Sequence, residues 1–149
     1  GLTEMRPGVY VFNDLDQVGI GSCTPDDLAL SVLATVIGHN RRSERILIDA
    51  GALALSKDVS AHEFFEHVGY GRVCDLSGKV VNGLYVESAH QEHGLIAAAE
   101  GEPPYEAFPI GSKLRILPNH ACITAAAYTH YEVLQGNQPL ARWERINGW

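Results

Sequence analysis

The chain lacks the features that define several common protein classes. Its 149 residues include three cysteines, and an odd number at wide spacing does not make a disulfide framework. The longest apolar run, Leu28–Gly38, is interrupted by Ser31 and Thr35 and is too short to span a bilayer. No charged-then-apolar signal segment opens the sequence, which predicts a cytoplasmic protein without a membrane partner.

Basic residues and nucleotide-binding motifs are also scarce. Lysine and arginine number 11 against 18 aspartate and glutamate residues, a formal net charge of −7 at pH 7. That charge argues against a broad surface for nucleic acid or anionic membranes. The glycine-rich phosphate loops, the HExxH zinc motif and the CxxC pair are all missing. None of the three lysines, Lys57, Lys79 and Lys113, stands in a setting that predicts a Schiff base.

The residues that are present predict one mainly β domain over residues 1–149. Fifteen glycines and seven prolines interrupt the chain at short intervals, which is typical of a β-barrel or sandwich. We predict short helical turns within Ala52–Asp58 and Ser60–His67, and a hairpin turn at Gln135–Gln138. The predicted strands are Leu28–Ile37, Arg45–Asp49, Arg72–Asp75, Val80–Val86, Gly94–Ala99, Lys113–Leu117, Tyr128–Leu134 and Leu140–Ile146.

The segment Pro118–Cys122 carries the sharpest chemical signal. Pro118 favours an extended conformation for the residue before it, and an apolar strand precedes it, so we predict that His120 and Cys122 lie on extended backbone. Side chains two apart on a strand point to the same face. An imidazole and a thiolate on one face are ligands that zinc prefers. The structural alternative is a buried cysteine beside a hydrogen-bonded histidine.

Two further sites are candidates. Glu92 and His93 lie within Ser88–Gly94 and could line a metal pocket or act as a base, or belong to a polar turn whose side chains bond the backbone. Tyr10, in Arg6–Tyr10, could enter a strand and pack its ring into the core.

Four segments in a fixed order resemble a known family. They are Arg6–Asp14, then Ile48–Gly51 with Ala54–Ser56, then Glu92–Gly94, then Pro118–Cys122. The set resembles the C-terminal β-domain of the metal-activated pyridoxal phosphate enzymes that include D-serine dehydratase and D-threonine aldolase. Full-length members resemble alanine racemase, a fold type III enzyme. The resemblance therefore implies a β-barrel-like domain that closes over an N-terminal (β/α)₈ barrel, which this chain does not contain.

The resemblance also implies a site and a reaction. In the family, a histidine and the residue two positions later hold the metal, and here these positions are His120 and Cys122. A cysteine at the second position matches the dehydratases, whereas the aldolases have an aspartate. The resemblance also implies that Glu92 and His93 line the metal pocket, and that Tyr10 lies where alanine racemase-like enzymes have an active-site tyrosine. The implied function is conversion of D-serine to pyruvate and ammonia by a homodimer, with zinc bound here and pyridoxal phosphate held by the missing barrel. The alternatives are a D-threonine or 3-hydroxy-D-amino-acid aldolase domain, and a non-catalytic metal-binding or dimerisation module.

Overall fold

Six of the strands close into an antiparallel barrel in the computed structural model, which describes residues 1–146. The last three residues of the predicted domain lie outside the described residues. The strands are β1 Val32–Asn40, β2 Arg45–Ile48, β3 Arg72–Cys74, β4 Val80–Ala89, β5 Gly94–Ala98, β6 Lys113–Leu117, β7 His130–Gln135 and β8 Gln138–Glu144. The α-helices are α1 Leu15–Gly19, α2 Ala52–Leu55 and α3 Ala121–Ala126, and 3-10 helices span Val9–Val11, Pro25–Asp27, Ser60–Glu63 and Tyr105–Ala107.

The barrel runs in the order β1-β2-β5-β4-β3-β6 and closes where β6 pairs with β1. Val36 of β1 faces Ile48 of β2, and Val32 at the other end of β1 faces Ile116 of β6. Because β1 is hydrogen-bonded to β2 on one side and to β6 on the other, its backbone has no unpaired edge along these contacts. Closure also fixes the end of β6, the point from which the segment Pro118–Cys122 departs.

Alternating side chains fill the barrel interior. On β1, Val32, Ala34 and Val36 are buried, while Leu33 between them points outward. The period of two is what a strand with one buried face requires. The other strands contribute aliphatic residues to the same core: Ile46, Ile48, Val73, Leu84, Val86, Ile96, Leu114 and Ile116.

A second, smaller apolar cluster attaches the amino-terminal segment to the barrel. Leu15 of α1 packs there with Val68, Cys74 and Leu117, the last residue of β6. Ala61 completes the cluster and is fully buried. The cluster therefore seats α1 beside the end of β6.

The strands β7 and β8 form a separate hairpin. Its turn contains Gly136 at φ 61°, a left-handed conformation that glycine adopts without strain. Every residue of β8 is exposed, so the hairpin depends on a few contacts at its base. There the ring of Tyr131 lies 5.1 Å from that of Phe12, and the Arg145 guanidinium donates to the carbonyl oxygens of Ala125 and Tyr128.

Most strand predictions are confirmed, with shifted ends. The predicted strand Leu28–Ile37 begins later, at Val32, because Leu28 ends a 3-10 helix. The apolar run Val9–Phe12 forms a 3-10 helix rather than the start of a strand, and α1 was not predicted at all. No helix in the described part of the chain is long and apolar enough to cross a membrane.

The buried thiol of Cys74 predicts a loss of stability in alkali. Cys74 is fully buried, and desolvation raises the pKa of its thiol from 9.0 to about 11. Because the pKa is raised in the folded state, the thiol ionises at lower pH in the unfolded chain than in the folded one. Its contribution to the free energy of unfolding is therefore complete below pH 9 and is lost between pH 9 and about 11. The loss should reach roughly 2–3 kcal/mol in the free energy of unfolding.

Urea unfolding between pH 8 and 11 tests this expectation. Cys74→Ala should be less stable at neutral pH but should show a shallower alkaline decline than the wild type. Cys23→Ala, which removes a partly exposed thiol, serves as the matched control and should keep most of the decline. An identical decline in all three proteins would contradict the assignment.

Candidate metal centre

His120 and Cys122 lie at the amino end of α3. His120 has extended backbone (φ −131°, ψ 111°) and precedes the helix, whereas Cys122 is its second residue. The prediction that both lie on extended backbone is therefore wrong for Cys122. The alanines of Ala121–Ala126 are strong helix formers, and they turn the chain into a helix directly after His120.

A buried carboxylate meets this end of α3 from the amino-terminal segment. Asp14, which is 1% exposed, caps α1 by accepting a hydrogen bond from the backbone of Gln17 at 3.0 Å. Its Oδ2 atom accepts from the backbone nitrogen of Ala121 at 2.8 Å and lies 3.1 Å from Nδ1 of His120. One carboxylate thus accepts hydrogen bonds from the amino ends of α1 and α3 and contacts the histidine ring.

Hydrogen bonds also fix the backbone before His120. The amide nitrogens of Leu15 and Asp16 donate to the carbonyl oxygens of Pro118 and Asn119, at 3.4 and 3.3 Å. The buried Asn119 side chain donates from Nδ2 to two further carbonyls, those of Asp58 at 2.8 Å and Gly69 at 2.7 Å. Three separate parts of the chain therefore fix the segment that carries the candidate ligands.

Cys122 remains accessible in this setting. The residue is exposed, and a Cβ atom added to Gly8 would lie 3.8 Å from its sulfur, so the segment that leads to Tyr10 runs beside it. Partial desolvation raises the pKa of the Cys122 thiol, and the negative charge of Asp14 raises it further. The alternative of a buried structural cysteine does not hold, because this sulfur faces outward.

A metal held by His120 and Cys122 would have an open site. In the part of the chain that the structure describes, no group of three or more histidine, cysteine, aspartate or glutamate side chains is placed to hold a metal ion. Nδ1 of His120 faces Asp14, which leaves Nε2 as the ring nitrogen that could bind a metal. Imidazole nitrogen and thiolate sulfur suit zinc, and a site with two protein donors leaves positions for other ligands.

Glu92 and His93 lie elsewhere, in the turn between β4 and β5. Glu92 accepts a hydrogen bond from the side chain of Gln91, and the ring of His93 stacks on that of His90 with centroids 4.7 Å apart. The turn is bonded to the start of α2, where the amide of Ala52 donates to the carbonyl of His90 at 2.6 Å. Glu92 and His93 thus lie in a polar turn, but the contacts of their side chains are with neighbouring side chains, and the backbone of the turn makes the bonds to α2. The carbonyl of Leu55 in α2 in turn accepts a bond from α3.

Glycine makes this contact between the turn and α2 possible. A Cβ atom at Gly51 would lie 2.3 Å from the carbonyl oxygen of His90, which is closer than any side chain tolerates. On its other side, α2 accepts a hydrogen bond from Thr124 of α3 through the carbonyl of Leu55, at 3.0 Å. The four segments that carry the family resemblance therefore meet as two pairs. The first segment contacts the fourth at the candidate metal centre, and the second, which contains part of α2, contacts the third, in the turn before β5.

Tyr10 lies in the 3-10 helix Val9–Val11 and is 66% exposed. The alternative that its ring packs into the core is therefore wrong. Its helix follows Gly8, which approaches Cys122, so Tyr10 belongs to the surface around the candidate ligands.

Sequence reasoning missed Asp14 and α3. Asp14 lies within Arg6–Asp14, but nothing in a linear reading connects it to a histidine 106 positions later. The alanine-rich stretch after His120 was the available signal for the helix.

Comparison with known proteins gives consistent matches. A family model described as a serine dehydratase domain matches residues 29–134. The chain is 47% identical over 152 residues to D-threo-3-hydroxyaspartate dehydratase of Delftia sp. strain HT23, covering all of this chain and 40% of that protein. It is 34% identical over 143 residues to D-serine dehydratase of Dictyostelium discoideum, covering 94% of this chain and 35% of that protein. The chain thus spans less than half the length of these curated relatives.

Solved structures agree with the barrel. Two variants of D-threo-3-hydroxyaspartate dehydratase superpose with TM-scores of 0.88 and 0.90 at 46% and 45% identity, over 95% and 100% of this chain and 38% and 39% of theirs. An alanine racemase-like protein from Idiomarina loihiensis gives 0.87 at 44% identity, over 95% of this chain and 38% of that one. The predicted fold and the predicted family resemblance are confirmed.

The substitutions in the two dehydratase variants concern the same pair of residue types as His120 and Cys122. One replaces a cysteine by alanine and is a metal-free form, and the other replaces a histidine two positions earlier by alanine. The same residue types at the same spacing occur here as His120 and Cys122.

The Asn119 contacts predict a cost for losing its side chain. Asn119→Ala leaves the carbonyl of Asp58 without this donor in a buried position, so we expect the free energy of unfolding to fall by about 1–3 kcal/mol. Asn137→Ala removes an exposed side chain in the hairpin turn and should change stability by less than about 0.5 kcal/mol. Thermal unfolding of both variants measures the difference, and equal stability would refute the expectation.

Proposed function

The chain belongs to the serine dehydratase domain family, and from this membership we propose that it is the metal-bearing β-domain of a pyridoxal phosphate-dependent dehydratase. The reaction we propose is loss of water from a 3-hydroxy-D-amino acid of the D-serine type. From D-serine the products are pyruvate and ammonia. The single observation that carries the proposal is the pair His120 and Cys122, held by Asp14 in a chain whose relatives are dehydratases.

The donor set fits zinc. The imidazole of His120 contacts a buried carboxylate through one nitrogen, the arrangement common among zinc-binding histidines, and Cys122 adds an accessible sulfur two residues on. When bound, zinc would supply a Lewis acid for the substrate β-hydroxyl, a poor leaving group without such help. The role of His120 and Cys122 is to hold that ion at a fixed place on the domain surface while leaving positions for the substrate.

A second domain is needed to complete the enzyme. Pyridoxal phosphate would supply the electron sink for removal of the α-proton, and it needs a lysine. Lys57, Lys79 and Lys113 are all exposed here, which supports a cofactor lysine in the part of the longer relatives that lies outside this chain. We propose that this part is an N-terminal (β/α)₈ barrel, and that the complete enzyme is a homodimer.

The surface beside the candidate ligands supports such a partner. Tyr10, Val11 and Ile123 are apolar side chains that are at least half exposed. Ile123 follows Cys122 directly, and the other two follow Gly8, which approaches the same sulfur. A domain packed over these residues would bury apolar area and exclude water from the site. Tyr10 then lies where it could face the substrate.

The type of second ligand supports elimination over aldol cleavage. Retro-aldol cleavage requires the β-hydroxyl to lose its proton. Elimination requires that oxygen to keep its proton and leave as hydroxide, or to gain a second proton and leave as water. A thiolate such as Cys122 favours zinc, and a carboxylate in its place favours harder ions such as Mn²⁺ or Mg²⁺. The named relatives at 47% and 34% identity are both dehydratases, which supports the same choice over a D-threonine aldolase.

Metal titration tests the site itself. We expect the wild-type chain to bind Zn²⁺, and His120→Ala and Cys122→Ala to lower its affinity about 100-fold or more, because each removes one of two protein donors; 100-fold corresponds to roughly 3 kcal/mol. His130→Ala removes a histidine from the β7–β8 hairpin and should bind like the wild type. Equal zinc uptake by all four proteins would exclude this site and favour a module without metal.

Product assays on the full-length protein test the reaction. Pyruvate from D-serine should form faster than glycine and acetaldehyde from D-threonine. Cys122→Asp should lower dehydration by about 10–100-fold and shift the preferred ion from Zn²⁺ toward Mn²⁺. Asn137→Asp introduces the same charge in the exposed hairpin turn and should leave both unchanged.

The chain of 149 residues by itself is a further control. Because it offers no cofactor lysine, it should release no pyruvate with added pyridoxal phosphate. Efficient glycine release without pyruvate from the full-length protein would support the aldolase alternative, and the absence of both products would support a non-catalytic module.

A further inference from the structure

We propose that Asp14 is a positioning residue for the metal site: it holds His120 in the tautomer that carries its proton on Nδ1, which leaves the Nε2 lone pair free for the metal. The inference deepens the proposed function and rests on it for the identity of the ligand. The tautomer itself is a property of the metal-free chain and is measured without metal.

The contacts of Asp14 define which nitrogen carries the proton. An ionised carboxylate only accepts hydrogen bonds, so each atom that faces it must donate. Oδ1 accepts from the amide of Gln17, and Oδ2 accepts from the amide of Ala121 at 2.8 Å. Nδ1 of His120 approaches the same Oδ2 at 3.1 Å and must carry a proton to make a favourable contact. A neutral imidazole has one such proton, so Nε2 has none.

Asp14 is itself held in place, which is what a positioning residue requires. It is 1% exposed and caps α1, and the next two amides of that helix bind the carbonyl oxygens of Pro118 and Asn119. Asp14 and His120 therefore belong to one hydrogen-bonded junction. An exposed ion pair on flexible side chains would not select a tautomer in this way.

Asp14→Asn is the informative substitution because it keeps the size and the capping ability of the side chain. Asparagine is as good a helix cap as aspartate, and its carbonyl oxygen can still accept one hydrogen bond. Its amide nitrogen replaces the other carboxylate oxygen and donates instead of accepting. With its carbonyl oxygen kept on the amide of Gln17, the amide nitrogen takes the place of Oδ2 and the bond from Ala121 is lost. The nitrogen then donates to Nδ1 of His120, and the proton of the ring moves to Nε2.

The experiment records long-range ¹H–¹⁵N spectra of the metal-free chain, labelled at its seven histidines, at about pH 8, above the ordinary imidazole range near 6.5. His120→Gln identifies the signals of His120. We expect the Nδ1–H tautomer in the wild type and the Nε2–H tautomer in Asp14→Asn. Asp16→Asn removes the neighbouring carboxylate, whose side chain makes no contact with His120 among the described hydrogen bonds and ion pairs, and should keep the Nδ1–H tautomer.

Zinc titration of the same proteins gives the second measurement. Asp14→Asn should bind Zn²⁺ about 10–100-fold more weakly than the wild type, the usual cost of losing a carboxylate behind a metal-binding histidine. Asp16→Asn should bind with unchanged affinity. A purely structural role of Asp14 would lower stability without moving the tautomer.

The outcomes separate this inference from the proposed function. A wild-type chain in the Nε2–H tautomer overturns the inference, and this result needs no variant that might fold poorly. Unchanged zinc affinity in a folded Asp14→Asn protein overturns it too. A wild-type Nδ1–H tautomer that changes in Asp14→Asn supports the role of Asp14, and if the wild type then bound no zinc, only the proposed metal site would fail.

Discussion

A buried carboxylate is the constraint on which the candidate site depends. Removing a carboxylate from water is costly unless hydrogen bonds replace its hydration, and Asp14 obtains these from α1 and from the start of α3, with Nδ1 of His120 3.1 Å from Oδ2. Satisfying one side chain thus joins two parts of the chain that are more than 100 residues apart in sequence. The barrel makes this possible, because its closure through β1 and β6 delivers the end of β6 beside α1.

In this domain, the residues that support the candidate site are different from the candidate metal ligands. The strands fill the barrel interior mainly with aliphatic residues, and the candidate ligands lie beyond the end of β6. The turn that holds Glu92 and His93 packs on α2 through Gly51, and α2 bonds α3 through Thr124. These residues support the helix that carries Cys122 from behind, while Asp14 and Asn119 fix the segment before it. A family motif can therefore mark packing as readily as catalysis.

The same geometry explains how a domain with two metal donors could serve an enzyme. His120 and Cys122 lie at a surface bordered by exposed apolar residues, and the chain spans less than half the length of its curated relatives. An open metal site on one domain and a cofactor lysine on another would bring the leaving-group activator and the carbanion stabiliser together only in the assembled protein. Such a division would confine the reaction to the closed interface between the domains.

The sequence by itself determined the class of fold, most strands and the family. The alternation of apolar and polar residues along a strand and the order of motifs can both be read from the linear sequence. The segments Arg45–Asp49, Lys113–Leu117 and Gly94–Ala99 were predicted within one residue of their ends. Tertiary structure alone decided that Cys122 lies in the first turn of a helix, that the turn holding Glu92 and His93 is bonded to α2, and that Asp14 meets His120. Each of these depends on hydrogen bonds between residues distant in sequence, and a buried donor or acceptor is satisfied only when the barrel has closed and brought its partner within reach.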